Sequence, residues 1–257
     1  MSTRLQGRRA LVTGASSGIG REVAVRFAAE GAAVACGGRD EGRTKDTVDR
    51  ITTAGGTAVA VVGDVSQPEG AQAVVEAAAE AMGGIDAVIN NAGIDAIEWK
   101  NVADWPVDEF DELIRTNLRG PFLVAKYSIP HMLEAGGGAI VHMSSVCAIT
   151  VWAGDCGYDI SKAGLNMLSD HIAVEYGPQG IRSNTLMPGV IATELHESVM
   201  VAMDDGRAFE RELLSRHPIG RFGDVTEVAD ACVFLCANEA GFLTGANISI
   251  DGGYSRV

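Results

Sequence analysis

The sequence predicts a doubly wound α/β fold, a mostly parallel seven-stranded sheet with helices on both faces. Three observations predict it. Short apolar runs rich in Val, Ile and Ala alternate with helical patterns of about a dozen residues, the βαβ rhythm of a parallel sheet. A glycine-rich turn joins the first such run to the first helical pattern. Glycine supplies 32 of the 257 residues, as tight strand-to-helix turns require. With 47% apolar residues the chain can bury one sizeable core. No linker, low-complexity run or internal repeat divides it, so residues 1–257 are expected to form one domain.

Residues 9–13 read as a short buried strand. It runs into Gly14, Ala15, Ser16, Ser17, Gly18, Ile19 and Gly20, then into an amphipathic helix carrying Val23, Phe27 and Ala28. Strand, glycine turn and helix N-terminus make an anion site, because unpaired backbone N–H groups and the positive end of the helix dipole face the ligand. The spacing is G-x-x-x-G-x-G rather than G-x-G-x-x-G. The stretch also matches G-x-S-x-G, which would make Ser16 a nucleophile elbow. A hydrolase elbow follows several strands and precedes its acid and histidine. Here the turn follows the first strand, and no histidine sits in an obvious late catalytic loop. A nucleotide phosphate is therefore the expected ligand, with a serine hydrolase using Ser16 as the alternative.

Residues 32–36 form the second strand, followed by Gly37, Gly38, Arg39 and Asp40. In a dinucleotide fold the end of this strand meets the adenosine ribose. A carboxylate there binds a free 2′-hydroxyl, whereas a guanidinium suits a 2′-phosphate. Gly38 and Arg39 favour the phosphate; the other reading of Arg39 is a solvated surface charge. Asp40 is expected to cap the next helix. Residues 57–62 form the third strand, ending at Gly63, Asp64 and Val65. Asp64 either accepts from an adenine amino group or caps the helix that begins near Pro68. Residues 85–89 form the fourth strand, ending at Asn90, Asn91, Ala92 and Gly93. Ligands of such sheets gather at the carboxyl ends of the strands, where all these loops fall.

A long helix is expected over about residues 107–133, with Asn117 inside it, a residue unfavourable in mid-helix without a reason. Residues 139–143 form the fifth strand and deliver Ser144 and Ser145. Tyr158 follows Ser145 by thirteen positions, and Lys162 follows Tyr158 by four. At that last spacing phenol and ammonium share one helix face. The ammonium favours phenolate and lowers a pKa that is ordinarily ~10. A serine hydroxyl from a nearby strand end can hold a substrate oxygen against the same phenol, giving a proton-transfer device for an alcohol or carbonyl. Residues 181–186 form the sixth strand, ending at Pro188 and Gly189. Residues 191–217 break the rhythm with two short helical patterns separated by Asp204, Asp205 and Gly206. A helix from about Val225 and a strand over residues 247–250 close the chain.

The net charge of −14 disfavours nucleic acid and anionic membrane surfaces as partners. The five cysteines, Cys36, Cys147, Cys156, Cys232 and Cys236, contain no C-x-x-C. Cys232 and Cys236, at helical spacing in an apolar stretch, read as core rather than metal ligands. A reduced, cytoplasmic protein is expected. The polar start shows no signal segment, and no run reaches the ~20 apolar residues of a membrane span.

Taken together, residues 13–20 (TGASSGIG), Asn90 to Gly93, Asn117, Ser145, Tyr158, Lys162, and Pro188 with Gly189 resemble the short-chain dehydrogenase/reductase family in its compact form. The likeness spans nearly the whole chain. It implies a Rossmann-type fold and an NAD(P)-dependent redox reaction at a carbinol or carbonyl carbon. Carried over, Tyr158 is the general acid/base and Ser145 orients the substrate oxygen. Lys162 holds the nicotinamide ribose and lowers the Tyr158 pKa, and Asn117 anchors a water linking Lys162 to solvent. The cofactor would lie on Gly14, Ser16, Ser17, Gly18, Ile19, Gly20, Arg39, Asp64, Val65, Asn91, Ala92, Gly93, Tyr158, Lys162, Pro188, Gly189, Ile191 and Thr193, with Thr193 on the carboxamide. Arg39 and Gly38 favour NADP(H). Ser17 stands where many NADP-using relatives carry a basic residue, so NAD(H) is the alternative.

The resemblance also places the substrate walls at residues 95–99, 146–157 and 191–214, with a lid over about 191–217. These stretches include Trp152, Asp155, Cys156, Leu195, Met200, Met203 and Phe209, and no arginine cluster for a phosphate or acyl-carrier partner. A small or medium, uncharged alcohol or ketone is expected. Glu98 and Asp155 could meet a polar substrate, with loop solvation as the default. His142 is expected to pack within its strand, and His196 and His217 to lie on the lid surface. The family is commonly tetrameric, and the Phe122 and Leu165 faces and residues 242–254 allow a homotetramer. A redox-sensing binding protein without turnover is a further alternative. No metal is expected.

Overall fold

The structure, a computed structural model, describes residues 3–95, 99–194, 196, 200 and 206–257. Seven strands, β1 (Arg9–Thr13), β2 (Ala33–Gly38), β3 (Thr57–Val62), β4 (Ala87–Asn90), β5 (Gly138–Met143), β6 (Ile181–Pro188) and β7 (Asn247–Ile250), form one sheet in the order β3-β2-β1-β4-β5-β6-β7. Every neighbouring pair is parallel, so the expected mostly parallel sheet is wholly so. The strand order reverses between β1 and β4, and that switch point opens a crevice at their carboxyl ends.

Side chains alternate across the sheet, yet both faces are covered, so the strands read as continuous apolar runs. Ala10, Val12, Val34, Cys36 and Val141 enter one core, under helices α1 (Gly18–Ala29) and α8 (Val225–Cys236). Leu11, Ala35, Val88 and Ile140 enter the other, under α3 (Pro68–Met82), α5 (Gly120–Glu134) and α6 (Cys156–Tyr176). Phe27 is fully buried in the first core, a contribution of about 1.5–3 kcal/mol. Cys232 and Cys236 lie in that core as free thiols, as expected.

Several boundaries differ from the expectation: β2 starts one residue late and runs on to Gly38, and β5 starts one residue early at Gly138. β4 starts two residues late because Asp86 is taken up by Arg9, whose backbone N–H and Nε donate to its two oxygens at 3.0 and 2.9 Å. β6 runs on to Pro188, which pairs with Ile250. The long helix is helical throughout but not α-helical: α4 (Val107–Ile114) passes through a π-turn (Arg115–Arg119) into α5. Asn117 sits in that turn, a type of distortion common at functional sites. Short helix α2 (Glu41–Thr53) is capped by Asp40, which accepts from the Arg43 N–H at 2.9 Å, as expected. In the 191–217 segment the described helix is α7 (Gly206–Ser215). Among described residues no helix is long and apolar enough to cross a membrane.

Candidate active site

A cavity of about 560 Å³ opens along the carboxyl ends of β1, β2, β4, β5 and β6. At one end lies the turn from β1 into α1. Gly14 there has φ +68°, a left-handed conformation that glycine adopts without strain. A Cβ on Gly20 would stand 2.2 Å from the Gly14 carbonyl oxygen, so the helix can pack this close only without a side chain. The first turn of α1 contains no acidic residue, and its N-cap, Ser17, makes no side-chain cap bond. The helix dipole and its free N–H groups therefore face the cavity, a fit for an anionic pyrophosphate.

The Asn90–Gly93 loop is clipped to this turn by Thr13, a residue the sequence reading did not single out for a role. Its Oγ1 accepts from the N–H groups of Asn91 and Ala92 at 3.0 and 3.1 Å and donates to the Ile89 carbonyl at 3.2 Å. The only signal in the sequence is a hydroxyl ending an apolar strand. Asn91 spends its side-chain amide on the Thr13 and Gly14 carbonyls, so it braces the turn. Asn91, Ala92 and Gly93 all line the cavity, as do Gly14, Ser16, Ser17, Gly18 and Ile19. Gly20 lies beneath the turn rather than on the cavity surface.

Arg39 is exposed and lines the cavity just past β2. At Gly38, a Cβ would lie 2.4 Å from Thr44 Oγ1, so an acidic side chain there would displace Thr44. A second cation, Arg43, lines the same end and pairs with Glu194; Glu194 also lies 3.6 Å from Arg21. Neither Arg43 nor Glu194 stood out in the sequence, because their meeting joins residues 151 positions apart. Asp64 and Val65 line the cavity. Asp64 accepts from the Ser66 N–H at 3.0 Å, closing a turn, and the helix after it starts at Pro68 with Gln67 as N-cap. The expected helix cap at Asp64 is thus an Asx turn one step earlier.

At the other end stand the residues of the proton-transfer device. Ser144 and Ser145 have different partners. Ser144 turns inward and donates to the Lys162 carbonyl at 3.1 Å. Ser145 lines the cavity beside Tyr158, and its hydroxyl accepts from the Cys147 N–H at 3.2 Å. Lys162 is buried, with Nζ 5.3 Å from the Tyr158 ring centroid and donating to the Met143 carbonyl at 2.9 Å. Asn117, fully buried, grips Ile94: its Oδ1 accepts from the Ile94 N–H and its Nδ2 donates to the Ile94 carbonyl, both at 2.8 Å. Gly93 is where these meet, since a Cβ there would lie 3.2 Å from Asn117 Oδ1 and 3.6 Å from Lys162 Nζ.

Burial dominates the electrostatics. It lowers the Lys162 ammonium to about 8. It raises the Tyr158 phenol well above its ordinary range, assisted by the negative charge of Asp95 and opposed by the Ser145 hydroxyl. The lowered phenol expected from the Tyr158–Lys162 spacing is therefore not a property of these residues alone, because the same burial that brings the ammonium close desolvates the phenolate. The Cys147 thiol is pushed up to about 12, again by burial, and stays protonated.

Pro188 and Gly189 lead from β6 into the segment carrying Ile191 and Thr193, all of which line the cavity. Thr193 Oγ1 accepts from the His196 N–H at 3.2 Å. His217 is not on the lid surface. It is 3% exposed, its Nε2 accepts from the Val190 N–H at 3.2 Å, and its Nδ1 donates to the Leu213 carbonyl at 2.8 Å. It pins the segment to the end of β6. His196 lines the cavity beside Phe222 rather than solvent alone. His142 is fully buried in its strand and held neutral, its pKa lowered to about 3 by burial. Trp99, Trp152, Met200 and Phe209 line the substrate end, whereas Cys156 does not. Asp155 is 5% exposed, which overturns the expectation of a solvated loop carboxylate. Glu98, Leu195, Met203, Asp204 and Asp205 lie outside the described residues. Among described residues no cluster could hold a metal.

Residues 14–255 match the family model described as enoyl-(acyl carrier protein) reductase. An uncharacterized oxidoreductase of Thermotoga maritima is 38% identical over 98% of this chain and 99% of its own. An L-rhamnose 1-dehydrogenase (NAD(P)(+)) of Azotobacter vinelandii is 37% identical over 95% of this chain and 94% of its own. The crystal structure of a short-chain type dehydrogenase/reductase from Mycobacterium marinum superposes with a TM-score of 0.92 at 33% identity, covering 99% of this chain and 98% of that one.

Proposed function

The chain belongs to the short-chain dehydrogenase/reductase family, an NAD(P)-dependent enzyme of alcohol dehydrogenase type, and from that premise we propose that it interconverts a small or medium, uncharged alcohol and its ketone with NADP(H) as the favoured cofactor. The observation that carries this reading is one cavity with the anion-binding turn at one end and Ser145, Tyr158 and Lys162 at the other. Family membership argues against the serine hydrolase using Ser16, and the turnover test below separates the enzyme from a sensor without turnover. In this proposal residues 1–257 are one domain, with the segment over about 191–217 as the substrate lid.

The turn from Gly14 to Gly20 holds the pyrophosphate, and Lys162 and Thr193 hold the nicotinamide end. When bound, the cofactor supplies or accepts the hydride. The chain's own task is the proton. Ser145 orients the substrate oxygen toward the phenol. In reduction Tyr158 gives its proton to that oxygen, and in oxidation it takes the proton back. Its raised pKa keeps the phenol protonated at neutral pH, ready for the first of these. Lys162 supplies the nearest positive charge to the phenolate, and Asn117 fixes the Ile94 backbone that borders both. A panel of secondary alcohols and ketones, followed at the reduced nicotinamide absorbance band, tests the reading. Turnover of at least one class is the expected result, and cofactor binding without turnover of any would sink it.

Support for NADP(H) comes from exposed Arg39 and from Thr44 crowding the position where an acid would sit. Arg39→Ala is expected to weaken NADPH binding about tenfold or more while leaving NADH nearly unchanged, the loss of one charged partner at a phosphate. Fluorescence titration with both cofactors measures this, and an equal loss for both, or none, would remove the assignment. A homotetramer also belongs to this proposal, supported by exposed Phe122 on α5 and fully exposed Phe242; Leu165 and Tyr254, expected on these faces, are buried, and the exposed apolar residues of α6 are Met167 and Val174 instead. Light scattering that gives a monomer mass would refute it.

A further inference from the structure

The substrate end of the cavity carries two carboxyl groups in contact. Asp155 occupies the N-cap position of α6 without a side-chain cap bond, three residues before Tyr158, lines the cavity, and is 5% exposed. It is hydrogen-bonded to Asp95, a residue that also lines the cavity. Its other oxygen is the second observation: Oδ1 is buried and accepts no hydrogen bond. The neighbouring carboxylate, Asp159, is already engaged, its Oδ2 accepting from the Trp152 N–H at 3.1 Å. Around the pair stand Trp99, Trp152 and Phe209, edge to face, with ring centroids 4.8–5.6 Å apart. The Arg216 guanidinium lies over the Trp152 ring at 4.3 Å.

Burial and the charges of Asp95 and Asp159 raise the Asp155 carboxyl to about 8. Two carboxylates this close do not both ionise, so at neutral pH the pair holds one proton. That proton lies between the two groups, so the pair turns only acceptors toward the cavity, the complement of a hydroxyl that donates. A plain hydrocarbon ring would leave Asp155 Oδ1 buried without a partner, and an anion would meet like charge. The aromatic faces suit the C–H face of a ring. Asp155 stands just before the start of α6, three positions ahead of Tyr158, and both line the same end of the cavity.

We propose that Asp95 and Asp155 are the substrate-binding residues that select a neutral ring bearing a second hydroxyl one or two carbons from the reacting carbinol, as in a cyclic diol or a sugar ring. This rests on the dehydrogenase reading above and narrows its substrate class. The test compares cyclohexanol, 1,2- and 1,3-cyclohexanediol and 2-aminocyclohexanol as substrates of wild type, Asp155→Leu and Asp95→Asn, with cofactor titration as the check on folding. Wild type is expected to favour a diol over cyclohexanol by about tenfold or more in kcat/KM, as for a site built to hydrogen-bond a hydroxyl. Asp155→Leu is expected to lower diol kcat/KM at least about tenfold further than that of cyclohexanol, because the acceptor facing the hydroxyl is lost. Should that variant fail to bind cofactor, Asp95→Asn and the wild-type ratio decide. Equal or better use of cyclohexanol by wild type, a preference for the amino alcohol, or an unchanged ratio in a folded variant would each overturn the proposal. Absence of turnover on all four alcohols would instead overturn the dehydrogenase reading beneath it.

Discussion

Replacing Tyr158 with phenylalanine is expected to lower kcat by about 10²–10⁴-fold, the range associated with a positioned acid/base group. The substitution removes one hydroxyl and keeps the ring, so the contact with Lys162 Nζ, 5.3 Å from the ring centroid, persists. Cofactor affinity by fluorescence titration should therefore change by less than about threefold, which separates a lost proton device from a damaged site. Direction matters too. The phenol is held protonated by burial, so wild-type alcohol oxidation, which needs the phenolate, is expected to speed up as pH rises into the alkaline range. The variant should lose that slope. A variant within about tenfold of wild-type kcat, or one retaining the pH slope, would move the proton transfer to another group.

The parts of the fold that were legible in the sequence are those whose signal is local. β1, β3 and β7 begin and end at the residues expected, because each is a short apolar run bounded by glycine or polar residues. Asn117 was legible as an anomaly, a buried polar residue inside a helical pattern, though nothing local announced the π-turn. What escaped was the product of distant packing. Asp155 looked like a solvated loop residue, yet the loop before it is sewn to residues 99–105. Lys100 N–H and Trp105 Nε1 donate to the Gly154 carbonyl at 2.9 and 3.1 Å, and a Cβ on Gly154 would lie 2.7 Å from that of Trp99. His217 was misplaced for the same reason: its partners at Val190 and Leu213 belong to a chain reversal that periodicity does not report. The Tyr158–Lys162 spacing correctly paired the two groups, but spacing carries no measure of desolvation, and desolvation sets both pKa directions.

Lys162→Met is expected to abolish most activity, about 10²-fold or more in kcat/KM, since it removes the buried cation beside the phenol and the ribose. The informative part is stability. Lys162 is buried, its Nζ donates to the Met143 carbonyl, and burial lowers its pKa to about 8, against about 10.4 in an unfolded chain. Below about 8 both states hold the proton, and the native state carries the whole cost of the desolvated ammonium. Between about 8 and about 10.4 the unfolded chain binds more protons, so wild-type stability rises with pH; above that the cost is gone. The gap corresponds to on the order of 3 kcal/mol at most. Methionine fills a similar volume and does not titrate. Thermal melts of both proteins across pH 6 to pH 11 should therefore show the variant gaining most, relative to wild type, below about pH 8, with the advantage shrinking toward about pH 10.4. The absolute offset also contains the lost bond to Met143, so the trend of the difference with pH is the test. A difference that is flat in pH, or that grows as pH rises, would mean that Lys162 is not held as a costly buried charge. The site would then keep its cation without any sacrifice of stability for function.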